Sequence, residues 1–165
     1  MTALAPANRN HSNPLDRMER LAESHQWSVD RPNDHEVLML VGGGWADMSL
    51  SFTWRDDLEA LLLACLLDLK VPEKRREEVQ KLLALINAQL IHGHFDLWAD
   101  GTIVFRNSLL LTGSADITDE QCEALLGIGI ETCQRYYPAI QFVIWAGHTA
   151  TEALDSALLE TMGEA

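Results

Sequence analysis

Apolar side chains recur along this chain with two different periods, and the places where one period gives way to the other divide it into elements. Over residues 13–25, Leu15, Met18, Leu21 and Ala22 share one face at helical spacing, with Asn13 as a cap and Pro14 suited to the first helical position. Residues 27–31 lead through the turn cluster Pro32-Asn33-Asp34 into a nearly continuous apolar run at 36–41, and both pieces read as strands. After Gly42-Gly43-Gly44, the residues Ala46, Met48, Leu50, Phe52 and Trp54 alternate with Asp47, Ser49, Ser51 and Thr53, as expected of a strand wetted on one side. Three consecutive strands with tight connections predict an antiparallel meander.

The next run reads differently. Asp56-x-x-Glu59 offers acceptors to the free amides of a helix amino terminus, so the spacing predicts a helix over residues 56–70. At about 100° per residue, Leu58, Leu61, Leu62, Cys65, Leu66 and Leu69 form one seam, while Ala60, Leu63, Ala64 and Leu67 form a second on the far side. One seam can cover a sheet. The other needs its own partner, either another helix or another subunit, and it makes Ala60, Leu63, Ala64 and Leu67 candidate interface residues.

Pro72 starts a further helix whose later face holds Val79, Leu82, Leu83, Ile86 and Leu90, and Gly93 closes it. Asn87, at the edge of that stripe, is placed for its amide to satisfy backbone groups of the adjoining hairpin, a structural role. Phe95 and Leu97, the dipeptide Asp100-Gly101, and Ile103 and Phe105 spell that hairpin, which turns at Gly101. Thr118 with Gln121 forms a capping box for a long helix carrying Cys122, Leu125, Leu126, Gly129, Ile130 and Cys133 on one face; Pro138 kinks or restarts it, and Gly147 stops it. Thr149 with Glu152 caps a last helix. The expected fold class is α+β, a five-stranded antiparallel sheet made of a three-strand meander plus a hairpin and packed with helices. Residues 1–12 have no apolar period and read as a disordered tail before a single domain over 13–165.

Charge narrows the functions open to such a domain. Twelve Lys and Arg against 25 Asp and Glu leave a formal charge of -13, which repels nucleic-acid backbones and anionic lipid surfaces. No apolar run approaches the roughly 18 residues of a membrane span, and no secretory leader pattern opens the chain, so a cytoplasmic protein is expected. Three cysteines without a Cys-x-x-Cys pair read as reduced core residues. Five tryptophans exceed the needs of one small core, and Trp45 and Trp54 join the candidate interface residues.

Chemistry has little to work with. His92-x-His94-x-Asp96 is the one arrangement that suggests a metal, through strand alternation, but His92 belongs to the preceding helix end and no second ligand cluster accompanies it. The triple glycine leads into a strand, whereas a phosphate loop leads into a helix. The serines lack a Gly-x-Ser-x-Gly elbow, and paired carboxylates stand at helix amino termini, where capping accounts for them. No catalytic residue and no cofactor is expected.

Asn13-Pro14-Leu15, Val71-Pro72, Leu85-Ile86-Asn87, Gly93-His94-Phe95, Phe105-Arg106-Asn107-Ser108-Leu109 and Tyr136-Tyr137-Pro138, in this order of elements, resemble the YbjN-domain family. Those bacterial proteins are described as sensory transduction regulators, and their fold is similar to that of type III secretion chaperones. The resemblance runs from about Asn13 to near the carboxyl terminus. It implies a small α+β domain, often a homodimer, that works by binding protein, and it makes Arg106 with Asn87 and Gly93 a structural rather than catalytic position. The helix after Pro72 and the one after Thr149 depart from the minimal chaperone pattern, which favours regulatory binding over escort of a client. The leading expectation is a non-enzymatic protein-binding module, and the alternative is a metal protein or enzyme using residues 92–96.

Overall fold

The leucine-rich run expected to be a helix is a strand. The computed structural model of the chain describes residues 12–113 and 115–163. Within them, helix α1 (Pro14–Ser24) precedes strands β1 (Ser28–Asn33), β2 (Glu36–Val41), β3 (Met48–Arg55) and β4 (Ala60–Lys70). A 3-10 turn at Glu73–Arg75 leads into α2 (Arg76–Asn87), followed by β5 (His94–Leu97), β6 (Thr102–Leu110), α3 (Asp119–Trp145) and α4 (Ala150–Gly163). The strands form one antiparallel sheet in the order β1-β2-β3-β4-β6-β5, six strands rather than five, because β4 extends the meander to four. The expected tail lies, apart from Ser12, outside the described residues.

The extended conformation of β4 is dictated by its neighbours. Leucine favours helix, but a central strand is decided by the ladders on both sides of it, and an unbroken apolar run does not separate a buried strand from a buried helix. Here β4 pairs with β3 from Arg55↔Ala60 to Met48↔Leu67 and with β6 from Ala60↔Leu110 to Leu66↔Val104. Asp56-x-x-Glu59, which resembles a helix start, is the hairpin turn between β3 and β4. Leu58 N–H donates to the Arg55 carbonyl, Glu59 N–H donates to the Asp56 carbonyl, and Glu59 takes a positive φ of 47°. Arg55 holds the turn through two hydrogen bonds to Asp57, at 2.8 and 2.6 Å.

Alternation then sorts β4 by face. Leu61, Leu63, Cys65, Leu67 and Leu69 are buried in the core shared with the helices, while Leu62, Ala64 and Leu66 are only half-buried. Val37, Met39 and Val41 of β2 and Met48, Leu50 and Phe52 of β3 continue the inner face. Helix α1 packs over β1, β2 and β3, and α3 packs over β4 and β6. The α3 crossing depends on Gly129: a Cβ there would lie 2.8 Å from Leu63 Cδ2 and 2.9 Å from Cys65 Sγ, closer than carbon contacts allow. Helix α3 runs unbroken past Pro138, which is buried within it, so the expected restart does not occur.

The edge hairpin is fastened by the side chain of Asn87. Its Nδ2 donates to the Phe95 carbonyl at 3.0 Å and its Oδ1 accepts from Phe95 N–H at 2.8 Å, so one amide side chain takes the place of a strand. Gly93, at φ 70°, leads into β5 where a Cβ would meet the Phe105 ring at 2.4 Å and the Arg106 carbonyl at 2.6 Å. Gly101, at φ 85°, turns the hairpin, and its carbonyl accepts from Val71 N–H at 2.9 Å. Lys70 clamps the same turn through Asp100 at 2.9 Å and through Thr102, and the Lys70 hydrogen bond, followed by those that the Thr102 N–H and hydroxyl donate, holds the Asp100 carboxyl at about 2, below the usual range.

Two substitutions test this packing. Gly129→Val should lower stability by about 1–3 kcal/mol, the usual penalty of overpacking, read from urea denaturation, and an equal or higher midpoint would show that α3 does not press on β4. Asn87→Ala leaves both backbone groups of the buried Phe95 without their partner and should cost about 1–3 kcal/mol, with faster amide exchange in His94–Leu97. Unchanged exchange there would contradict the bridging role.

Candidate protein-interaction surface

All four helices contribute to one core on the inner face, and the register shows what the outer face carries. One row across the sheet reads Ser28, Leu40, Ser49, Leu66, Val104, Asp96, and the next reads Asp30, Leu38, Ser51, Ala64, Arg106, His94. A third brings Glu36, Thr53, Leu62 and Ser108 side by side. Leucines thus stand on β2 and β4, and the short hydroxyl side chains of β3 lie between them. Leu38 and Leu40 are 37% and 48% exposed, Leu62 and Leu66 are half-buried, Val104 of β6 is fully buried, and Leu110 is exposed at the far end of β6, so the open apolar part of the face spans β2 to β4. Exposed apolar side chains scattered singly are ordinary on a protein surface, but several in register on a sheet face that no described helix covers make that face a candidate contact surface.

The charges on this face are unevenly satisfied. Arg106 lies 3.3 Å from Asp96, which also stands 3.3 Å from His94 Nε2. Arg55 is taken by Asp57, whose carboxyl it holds below the usual range through its hydrogen bonds. Glu36 accepts from Ser51 at 3.2 Å. Asp30, beside Leu38, and Asp47 and Asp68, at the end of the face near Leu40 and Leu66, are exposed and carry no ion pair among the described residues.

This geometry redistributes the residues singled out in the sequence. Leu63 and Leu67, at 1% and 3% exposed, point into the core under the helices, because strand alternation sends odd-numbered positions of β4 inward. Ala60 is buried too, paired between Arg55 and Leu110. The second seam is therefore not a free surface for another subunit: Leu63 and Leu67 face the core, Ala60 shares the outward phase of Ala64 but is buried, and only Ala64 is part-exposed on the outer face. Trp45 is exposed in the β2–β3 loop, while Trp54 sits at the opposite end of β3, half-buried, its indole N–H donating to Asp56. These two tryptophans do not share a patch. Leu38, Leu40, Leu62 and Leu66 escaped sequence reasoning, although the burial of Val37, Met39 and Val41 fixes the outward phase of β2.

The His92-x-His94-x-Asp96 arrangement does not converge. His92 precedes β5, and the Asp96 carboxylate is already shared between His94 and the Arg106 guanidinium, a cation that competes with any metal for the same oxygens. Among the described residues, no three His, Cys, Asp or Glu side chains are placed to hold a metal ion. Cys65, Cys122 and Cys133 are buried and unbridged. A hydrogen bond to Cys133, then burial, pushes the Cys65 thiol up, and burial first of all lifts Cys122 to about 11, so both stay protonated and unreactive at neutral pH. Among the described residues, no helix is long and apolar enough to cross a membrane.

Comparison with known proteins agrees with the architecture. No curated protein matches the chain. Among solved structures, the chain is similar to E. coli YbjN, whose crystal structure presents that protein as "a putative transcription regulator"; the TM-score is 0.53 and the identity 16%, over 73% of this chain and 85% of that one. At that identity the likeness is one of fold. Residues 14–142 match the profile of the YbjN family, described as "putative bacterial sensory transduction regulator". With most of its length inside that match, from the first helix into the third, the chain belongs to the YbjN family.

Proposed function

We propose that this chain is a non-enzymatic regulatory module that acts by binding another protein on the outer face of its sheet. One observation carries the reading: among the described residues, helices cover the six-stranded sheet on one side only, and the other side presents Leu38, Leu40, Leu62, Ala64 and Leu66 in register. Apolar side chains at the centre of a protein surface supply binding energy when a partner removes them from water, at roughly 25 cal/mol per Å² before the costs of association. The family description supports a regulatory role.

Helices α2 and α4, the additions to the minimal chaperone pattern, pack against each other and α3 and join the inner core, so they leave the outer face clear. Regulatory binding is favoured over escort of a secreted client, since the chain offers one open sheet face and its Leu63 and Leu67 seam is internal. Three unbridged thiols suit action in a reducing compartment such as the cytoplasm. The metal or enzyme reading loses its footing at Asp96, where Arg106 already sits.

Site-specific photocrosslinking tests the proposal in the source cell. A benzophenone amino acid at Ser51, on the outer face, should yield a discrete protein adduct, and the same group at Thr151, exposed on α4, should not. Adducts from Thr151 alone, or equal adducts from both positions, would overturn the assignment of the face.

A further inference from the structure

The outer face has a shape as well as a composition. Leu38 and Leu40 on β2 and Leu62 and Leu66 on β4 stand two strand spacings apart, about 10 Å, with Ser49, Ser51 and Thr53 of β3 as a low floor between them. An α-helix with its side chains is about 10–12 Å across, so a helix laid along β3 reaches both leucine rows with one apolar stripe. From Ser49 to Thr53 the trough runs about 13 Å, or roughly two and a half helical turns.

An extended peptide finds less to hold. Adding a strand requires a free sheet edge, and both edges are blunted. Strand β1 carries Pro32, which has no N–H, and a register shift between Asp30 and Asn33. Strand β5 is only four residues long. A second copy is disfavoured by charge, because it would bring another set of unpaired Asp30, Asp47 and Asp68 and another formal charge of -13 to the same surface. The two arginines on the face, Arg55 and Arg106, are already engaged by Asp57 and Asp96, so the unpaired charge around the trough is negative.

We infer that the trough between Leu38/Leu40 and Leu62/Leu66 takes an amphipathic helix of a partner protein, apolar on one side and flanked by Lys or Arg that meet Asp30, Asp47 and Asp68. This rests on the proposal that the outer face binds protein and names the form and charge of what it binds. The leucines supply contact area, and the three aspartates select a cationic rim and exclude an anionic one.

The probe is a fluorescent 18-residue peptide of Leu and Lys patterned as one apolar helical face, read by anisotropy against the full chain. Two further peptides serve as controls: the same pattern with Glu for Lys, and the Leu/Lys composition scrambled to destroy the face. The patterned cationic peptide should bind at least tenfold more tightly than either. Leu38→Asp and Leu66→Asp should each weaken it at least tenfold while circular dichroism and melting stay native, and Leu85→Asp, exposed on α2, should leave it unchanged. Asp30→Asn with Asp68→Asn should weaken binding severalfold and flatten its salt dependence. Equal binding of the scrambled peptide or the Glu peptide, or equal loss in Leu85→Asp, would overturn the inference, as would a sedimenting dimer that Leu66→Asp dissolves. If the helix fails while Ser51 still crosslinks to a protein, the face binds protein in another form; if both fail, the functional proposal falls with it.

Discussion

The fit of α3 on β4 at Gly129 is the contact on which the rest of the structure depends. A side chain at that position would collide with Leu63 and Cys65, and its absence lets the longest helix lie directly on the central strand. With α3 seated there, β4 and β6 are covered from one side, α1 completes the cover over β1, β2 and β3, and α4 packs on α3 and α2. Tyr136 further along α3 then meets Phe95 of the edge hairpin edge-on, with ring centres 6.2 Å apart. One missing methyl thus sets the spacing of two layers.

The same arrangement explains the exposed leucines. The four described helices all pack on the inner face, and β4 shows Leu62, Ala64 and Leu66 on the other. A surface strand selected only for solubility would place charge at such positions, as β4 does at Asp68 and Lys70, beyond the leucines. The polar side chains of β3 keep the face from being one continuous apolar sheet, and Asp30, Asp47 and Asp68 around it are exposed. Regulation through such a face requires no reacting group, which fits buried, protonated thiols and an Asp96 carboxylate occupied by Arg106.

What could be read directly in the sequence was local. The Asn13 cap accepts from Leu15 N–H at 3.0 Å, the boxes at Thr118 with Gln121 and Thr149 with Glu152 close as their spacing indicates, and the alternation over β3 matches its burial. Such features need only neighbours a few residues away. Strand β4 needed β6, about forty residues later in the chain, to satisfy its second edge, and no period within 56–70 reveals that ladder. Taking the run as a helix placed Leu63 and Leu67 outside and hid Leu62 and Leu66, and the nearly continuous apolar run at 36–41 did not show which of its residues face outward, so the outer-face leucines went unseen. The alternation of β4 had one visible trace, Asp68 and Lys70 flanking Leu69 at the strand end.

Cysteine accessibility along β4 tests the central claim most directly. In a chain whose three native cysteines are buried, Leu66→Cys and Leu67→Cys differ by one residue and, on this account, by a whole face of the sheet. A maleimide should label the thiol introduced at position 66 in the folded protein and reach position 67 only after unfolding. Protection at both positions, or labelling at both, would contradict a central strand that is sealed by α3 on one side and open on the other.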